Sequence, residues 1–163
     1  MRILRGALAG AIAGIAGAYA MERFQQLWAE TQERARPKES AHAAKDEPTT
    51  VKAAERVAET VLRTELPEEV KPAAGEVIHY GMGAFSGAIY GAIAEVVPIA
   101  RAGNGLLFGA MLWWLADNTV VPAVGLLKRP SAYPPSTHAY ALSSHLIYGF
   151  VAETVRKILR IVP

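Results

Sequence analysis

The 163-residue sequence contains no cysteine, which excludes disulfides, thiolate metal centres and cysteine nucleophiles. It is also short of charge: Asp, Glu, Lys and Arg make up 20% of the chain against 52% hydrophobic residues. A net charge of +2 and a pI near 9.0 are too mild to call for a nucleic-acid partner, and no basic stripe interleaved with aromatics is present. No Ser/His/Asp triad, phosphate-binding glycine loop or dinucleotide fingerprint occurs. These absences argue against an enzyme and call for no cofactor.

What the sequence has is segregation. Its few charges crowd into positions 22–76 and two later joints, leaving long stretches almost bare. That is the pattern of an integral membrane protein. We expect an all-α fold forming one membrane domain over 1–163. Its four transmembrane helices are expected at about 3–27, 77–97, 103–126 and 137–158, with the lipid bilayer as the first partner. The first run could also be a cleaved signal peptide, since Ala18-Tyr19-Ala20 fits a small-x-small cleavage site. The helical pattern runs on through Phe24 and Trp28, so a retained helix is expected. Residues 29–73 form a polar insert, in which Arg36-Pro37-Lys38 and Lys45-Asp46-Glu47-Pro48 read as loop. Val51, Ala54, Val57, Ala58, Val61 and Leu62 recur with helical period, predicting an amphipathic interfacial helix over about 50–66 that Pro67 ends.

Small residues mark the helix contacts. Gly6, Gly10 and Gly14 repeat every four residues in the first run, Gly83, Gly87 and Gly91 in the second, and Gly105 and Gly109 in the third. Such spacing lets helix backbones approach closely in lipid. These faces exceed the expected needs of four helices, which points to a homo-oligomer or a larger membrane complex. An internal echo accompanies them. Ile89-Tyr90-Gly91-Ala92-Ile93-Ala94-Glu95 resembles Ile147-Tyr148-Gly149-Phe150-Val151-Ala152-Glu153, and Gly10-xxx-Gly14 pairs with Gly105-xxx-Gly109. The chain thus reads as two related hairpins.

Orientation follows from basic residues at the short ends. Arg2, Arg5, Arg101, Arg156, Lys157 and Arg160 share one side, which should be cytoplasmic. The expected location is the bacterial inner membrane, with both termini cytoplasmic and the insert outside.

Each run carries an acid eight residues after a Gly or His: Glu22 after Gly14, Glu95 after Gly87, Asp117 after Gly109, and Glu153 after His145. Ionisable groups at membrane depth are costly and face a partner or a cavity. At ~1.5 Å per residue, Asp117 lies ~20 Å from the cytoplasmic end of its span and His145 ~10 Å from the outer end of the next. Their depths match, which makes them the leading intramembrane polar pair. It suits a proton relay or a polar solute site, or simply an interhelical hydrogen bond that fixes packing. His79, His138, Glu22, Glu95 and Glu153 are secondary polar sites. His79, His138 and Asp117 form a conceivable metal set, and a bis-His haem pair between the second and fourth spans, His79 with His138 or His145, is also conceivable, but no compact ligand motif supports the metal set. Glu22 and Glu153 are expected to pair locally with Arg23 and Arg156, Tyr90 and Tyr148 to hydrogen-bond between helices, and Trp113 and Trp114 to pack against neighbours.

Trp114-Leu115-Ala116-Asp117, Pro122, Gly125-Leu126, Tyr133-Pro134, Ser136-Thr137-His138-Ala139-Tyr140 and Ser144-His145-Leu146-Ile147-Tyr148-Gly149 together resemble the YagU-like family of bacterial inner-membrane proteins. The resemblance covers mainly the second half and the glycine-rich first helix. It implies a multi-span inner-membrane protein, and the 29–73 insert has no counterpart in it. Three functions follow in order of preference. The first is an oligomeric structural component or accessory subunit. The second is a small channel or transporter for protons or small solutes using Asp117 and His145. The third is a haem- or metal-binding anchor.

Overall fold

A computed structural model describes residues 1–35 and 47–161. The loop signals at Arg36-Pro37-Lys38 and Lys45-Asp46 lie outside the described residues. The described chain is helical: α1 (Arg2–Ala35), α2 (Thr49–Val57), α3 (Lys71–Ala94), α4 (Leu106–Leu115), the single turn α5 (Val121–Ala123) and α6 (Pro135–Ile161). Two stretches, Arg2–Gln32 and Pro98–Ala123, are long and apolar enough to cross a membrane. Glycines, His79 and Ser86 dilute the apolar character of α3, while Ser, His and the charges of its last turns dilute α6.

Helix α1 runs past the expected end at 27 because nothing between Met21 and Ala35 breaks it. Its buried positions are Gly6, Ala9, Gly10, Ala13, Gly14, Gly17 and Ala18, one small-residue stripe at helical spacing. Its large apolar residues point the other way: Leu4, Leu8 and Ile12 are each more than half exposed. The same inversion holds on α3, where Gly83, Gly87 and Gly91 are buried while Phe85 is 62% exposed. The chain hides glycine, alanine and charge, and presents leucine, isoleucine and phenylalanine outward. In water that arrangement forfeits the hydrophobic driving force. In lipid, close small-residue contact is what holds helices together.

α1 and α3 cross antiparallel through Gly6, Gly10 and Gly14 against Gly91, Gly87 and Gly83. A Cβ placed at Gly10 would run into the Gly87 carbonyl oxygen, and one at Gly14 into that of Gly83. α4 and α6 repeat the device, with Gly105 against Gly149 and Gly109 against the His145 backbone. The contacts also fix the register of the echo. Gly6 meets Gly91 and Glu95 as Gly105 meets Gly149 and Glu153, while Gly10 meets Gly87 as Gly109 meets His145. Gly6 and Gly10 are therefore the partners of Gly105 and Gly109, one turn earlier than sequence spacing pairs them. The named packing glycines are all occupied within the chain, so the excess inferred from sequence is absent.

Between α3 and α4 the backbone turns over Pro98–Gly105. Gly103 (φ 62°), Asn104 (φ 55°) and Gly105 (φ 87°) all adopt the left-handed region, which Gly accepts freely and Asn tolerates. This breaks the Pro98–Ala123 stretch, so that α4 begins at Leu106 with Gly105 pressed on α6. α4 then packs on α6, while α1 packs on both α3 and α6. The third expected span, 103–126, is thus a kinked entry, α4, a π-helical segment over Ala116–Val120 and α5.

The insert helix forms as α2 with a π-helical extension over Ala58–Leu62, ending at Arg63 in the left-handed region (φ 54°). Val51, Ala54 and Ala58 are buried, and Val51 fills the space above Gly75 of α3. Lys71 ties the junction, with Nζ 2.6 Å from both Glu55 and Glu68.

Candidate functional site

Two polar assemblies occupy opposite ends of the bundle. The first lies where α1 begins and α3 and α6 end. Glu153 is fully buried, and the buried Arg156 grips it through Nε–Oε2 (2.7 Å) and Nη2–Oε1 (2.9 Å). The Tyr90 hydroxyl donates to the same carboxylate at 2.7 Å, and its ring stacks on Phe108 of α4 at 4.1 Å. Glu95 accepts from Arg160 Nε (2.9 Å) and Nη2 (3.1 Å), from Arg2 Nε (3.0 Å) and, at 3.4 Å, from Arg156 Nη1. One carboxylate on α3 thus joins α1 and α6. Local pairing with Arg156 was the expectation for Glu153, and Glu95 was named only as a secondary polar site. The Glu153–Arg156 contact is there, but both acids are buried in a network rather than reaching for the interface. The signal for it is the repeated Tyr-Gly-x-x-Ala-Glu, which sets an acid one turn beyond a helix-crossing glycine, facing inward.

The second assembly is a cleft of about 730 Å³ bounded by α1, α2, α3, α4 and α6. It extends along α3 from Lys71 to Ser86, ~22 Å at the helical rise, and is lined at its far end by Glu47–Val51. Asp117 and His145 stand in its wall, with His145 Nδ1 3.8 Å from Asp117 Oδ2. The same Nδ1 donates to the Ala141 carbonyl at 2.9 Å, which fixes the ring and leaves Nε2 for other partners. Asp117 lies in the π-helical segment, whose looser winding lets Asn118 and Thr119 bond the carbonyls of Trp113 and Trp114, five residues back. Such segments are frequent at functional sites, and no residue pattern marks this one. At the base, the Tyr148 hydroxyl donates to the Gly83 carbonyl (2.7 Å) and lies 2.9 Å from Ser86 Oγ. Beyond that point the glycine crossings and the ion network fill the bundle.

The lining is acidic. Glu22, Glu47, Glu68, Glu76 and Asp117 face Lys71, His79 and His145, and Lys71 is already held by Glu55 and Glu68. Glu22 accepts from Tyr80 (2.5 Å) and Gln26 (2.8 Å) rather than from Arg23, which bonds Gln26 instead. Outside the two stretches long enough and apolar enough to cross a membrane, the hydrogen bond from Lys71 holds Glu55 below the ordinary glutamate range, while Glu55 and Glu68 raise Lys71.

The remaining expectations divide. Tyr90 and Tyr148 do bond between helices. The histidines do not gather: His79 Nε2 donates to the Ala18 carbonyl (3.1 Å) and His138 Nε2 to that of Pro130 (3.0 Å). Among the described residues no three metal-ligating side chains come together, so the set His79, His138 and Asp117 is not assembled. Trp113 packs edge-on to His138, but Trp114 is 62% exposed. It sits on an apolar α4 surface left uncovered among the described residues.

No curated protein and no solved structure matches the chain. A family model does match residues 42–154. This range takes in the insert from residue 42 onward and leaves α1 outside. The chain belongs to the family described as "Protein of unknown function (DUF1440)".

Proposed function

We propose that this is a four-span protein of the bacterial cytoplasmic membrane, both termini cytoplasmic, that admits protons or a small cation into the cleft without catalysing a reaction. The inverted surface supports the membrane location, with aliphatic side chains outward on α1 and α3 and glycines inward. The likeness to the YagU-like inner-membrane family around Asp117 and His145 supports it further. The basic residues at the ends of α1 and α6 and in the Pro98–Gly105 turn support the orientation.

One observation carries the functional reading. The Asp117–His145 pair, the polar contact expected at depth, lines an acidic cleft that is closed toward the ion network. A carboxylate beside an imidazole in such a site can hold a cation or pass a proton. The plain packing role is weakened, because the pair is separated by 3.8 Å and is not hydrogen-bonded.

The test is binding of guanidinium to the purified protein, with the protons exchanged on binding, measured by titration calorimetry. Asp117→Asn should lower the affinity about tenfold or more, the scale of a lost charge-assisted contact, with helical content and thermal midpoint unchanged. Equal affinity in both proteins, or loss only with unfolding, would overturn the reading.

A second reading, an oligomer or a subunit of a larger membrane complex, draws on a different surface. Leu107, Met111, Trp114 and Leu115 of α4 are exposed and uncovered. Native mass spectrometry after gentle extraction tests it: copies or foreign subunits lost on Trp114→Ala support it, and a bare monomer contradicts it.

A further inference from the structure

On the basic end of the bundle, away from the cleft, the Pro98–Gly105 turn and α6 border an open surface hollow of about 490 Å³ lined by Pro98, Ile99, Arg101, Ala102 and Lys157. We propose that this hollow is a binding site for the headgroup of an anionic phospholipid, an inference that rests on the four-span placement above.

Charge is the first argument. The two carboxylates at this end, Glu95 and Glu153, are engaged by Arg2, Arg156 and Arg160. The lining of the hollow contains two cations and no acid. Among the described residues Arg101 makes no side-chain hydrogen bond or ion pair, and Lys157 Nζ is 3.8 Å from Glu153 Oε1. A phosphate entering here would meet a guanidinium and an ammonium with no competing carboxylate in the lining.

Construction is the second argument. Asn104, in its left-handed conformation, accepts from Lys157 Nζ at 2.6 Å and donates to Thr154 Oγ1 at 2.9 Å. The turn carrying Arg101 is therefore anchored to the helix carrying Lys157.

Surroundings are the third. Val96 and Ile99 beside the site are 60% and 68% exposed, an apolar margin suited to acyl chains rather than to a free ion. Basic pockets on the cytoplasmic side of membrane helices recognise anionic lipids in this manner.

The experiment uses the full chain reconstituted in phosphatidylcholine, with and without phosphatidylglycerol, followed by native mass spectrometry of retained lipid. Wild type should retain phosphatidylglycerol in preference to phosphatidylcholine. Arg101→Gln/Lys157→Gln should lower that retention about tenfold, while Arg101→Lys, which keeps the charge, should retain most of it. Equal retention by the double variant, or displacement of the lipid by millimolar inorganic phosphate, would overturn the proposal. Carbonate-resistant flotation with phosphatidylcholine vesicles alone reports insertion separately. Failure to float would sink the membrane placement, whereas flotation without selective retention would sink only the lipid site.

Discussion

Glu153 and Arg156 form a bidentate pair one helical turn apart, inside the bundle, with Oε···N distances of 2.7 and 2.9 Å and almost no solvent contact. Removing one member of such a pair strands the other, which costs ~3–5 kcal/mol, far more than the pair itself contributes. Glu153→Gln should therefore lower stability by that order, read as a fall in the unfolding midpoint in detergent. Replacing both residues at once, Glu153→Leu with Arg156→Met, should cost much less. A single variant as stable as wild type would contradict the described network.

The glycine crossings predict a sharp contrast in tolerance. Gly10→Ala and Gly87→Ala each put a methyl where a facing backbone carbonyl already sits, so each should destabilise by ~1–3 kcal/mol through overpacking. Gly81, on the same helix as Gly87, has nothing near its missing Cβ. Gly81→Ala should leave the midpoint within ~0.5 kcal/mol of wild type or raise it slightly.

The junction between α2 and α3 should depend on pH in a defined direction. Glu55 is held below its ordinary value by its hydrogen bond from Lys71, so its contribution is present above the ordinary glutamate range and is lost as pH falls through the lowered value. Lys71 is raised, so its contribution persists through neutral pH and disappears only in strong alkali. Both groups are solvated, so the effect is modest and screened by salt. The protection factors of the amides of residues 49–58, corrected for the intrinsic exchange rate at each pH, should fall between pH 5 and pH 3 in wild type and change little over that step in Lys71→Met.

Legibility in the sequence followed the physics of each feature. The α1 stripe could be read because glycine at four-residue spacing has one geometric meaning in a helix, and Asp117 with His145 because matching depth needs only the rise per residue. The register of the echo was misread by one turn, since in Gly/Ala-rich helices several four-residue offsets look alike and only cross-helix contacts choose between them. The union of Glu95 with Arg160 and Arg2 was hidden because those residues are remote in sequence. The π-helical turn around Asp117 leaves no compositional mark. Trp114 was misjudged because depth in a span says nothing about which face a side chain takes when the partner helix lies on one side only.

The proposed function requires the cleft to be a watery site open on the side of residues 47–76 within a protein otherwise surrounded by lipid. The chain has no cysteine, so Ala116→Cys, in the cleft wall, and Ile12→Cys, on the exposed apolar face of α1, each supply a single thiol. A membrane-impermeant maleimide added to oriented vesicles should label Ala116→Cys from the side of the insert, more slowly in the presence of guanidinium, and should not label Ile12→Cys from either side. Labelling of Ile12→Cys as fast as Ala116→Cys, or labelling of Ala116→Cys only from the side of Arg2 and Arg160, would contradict it.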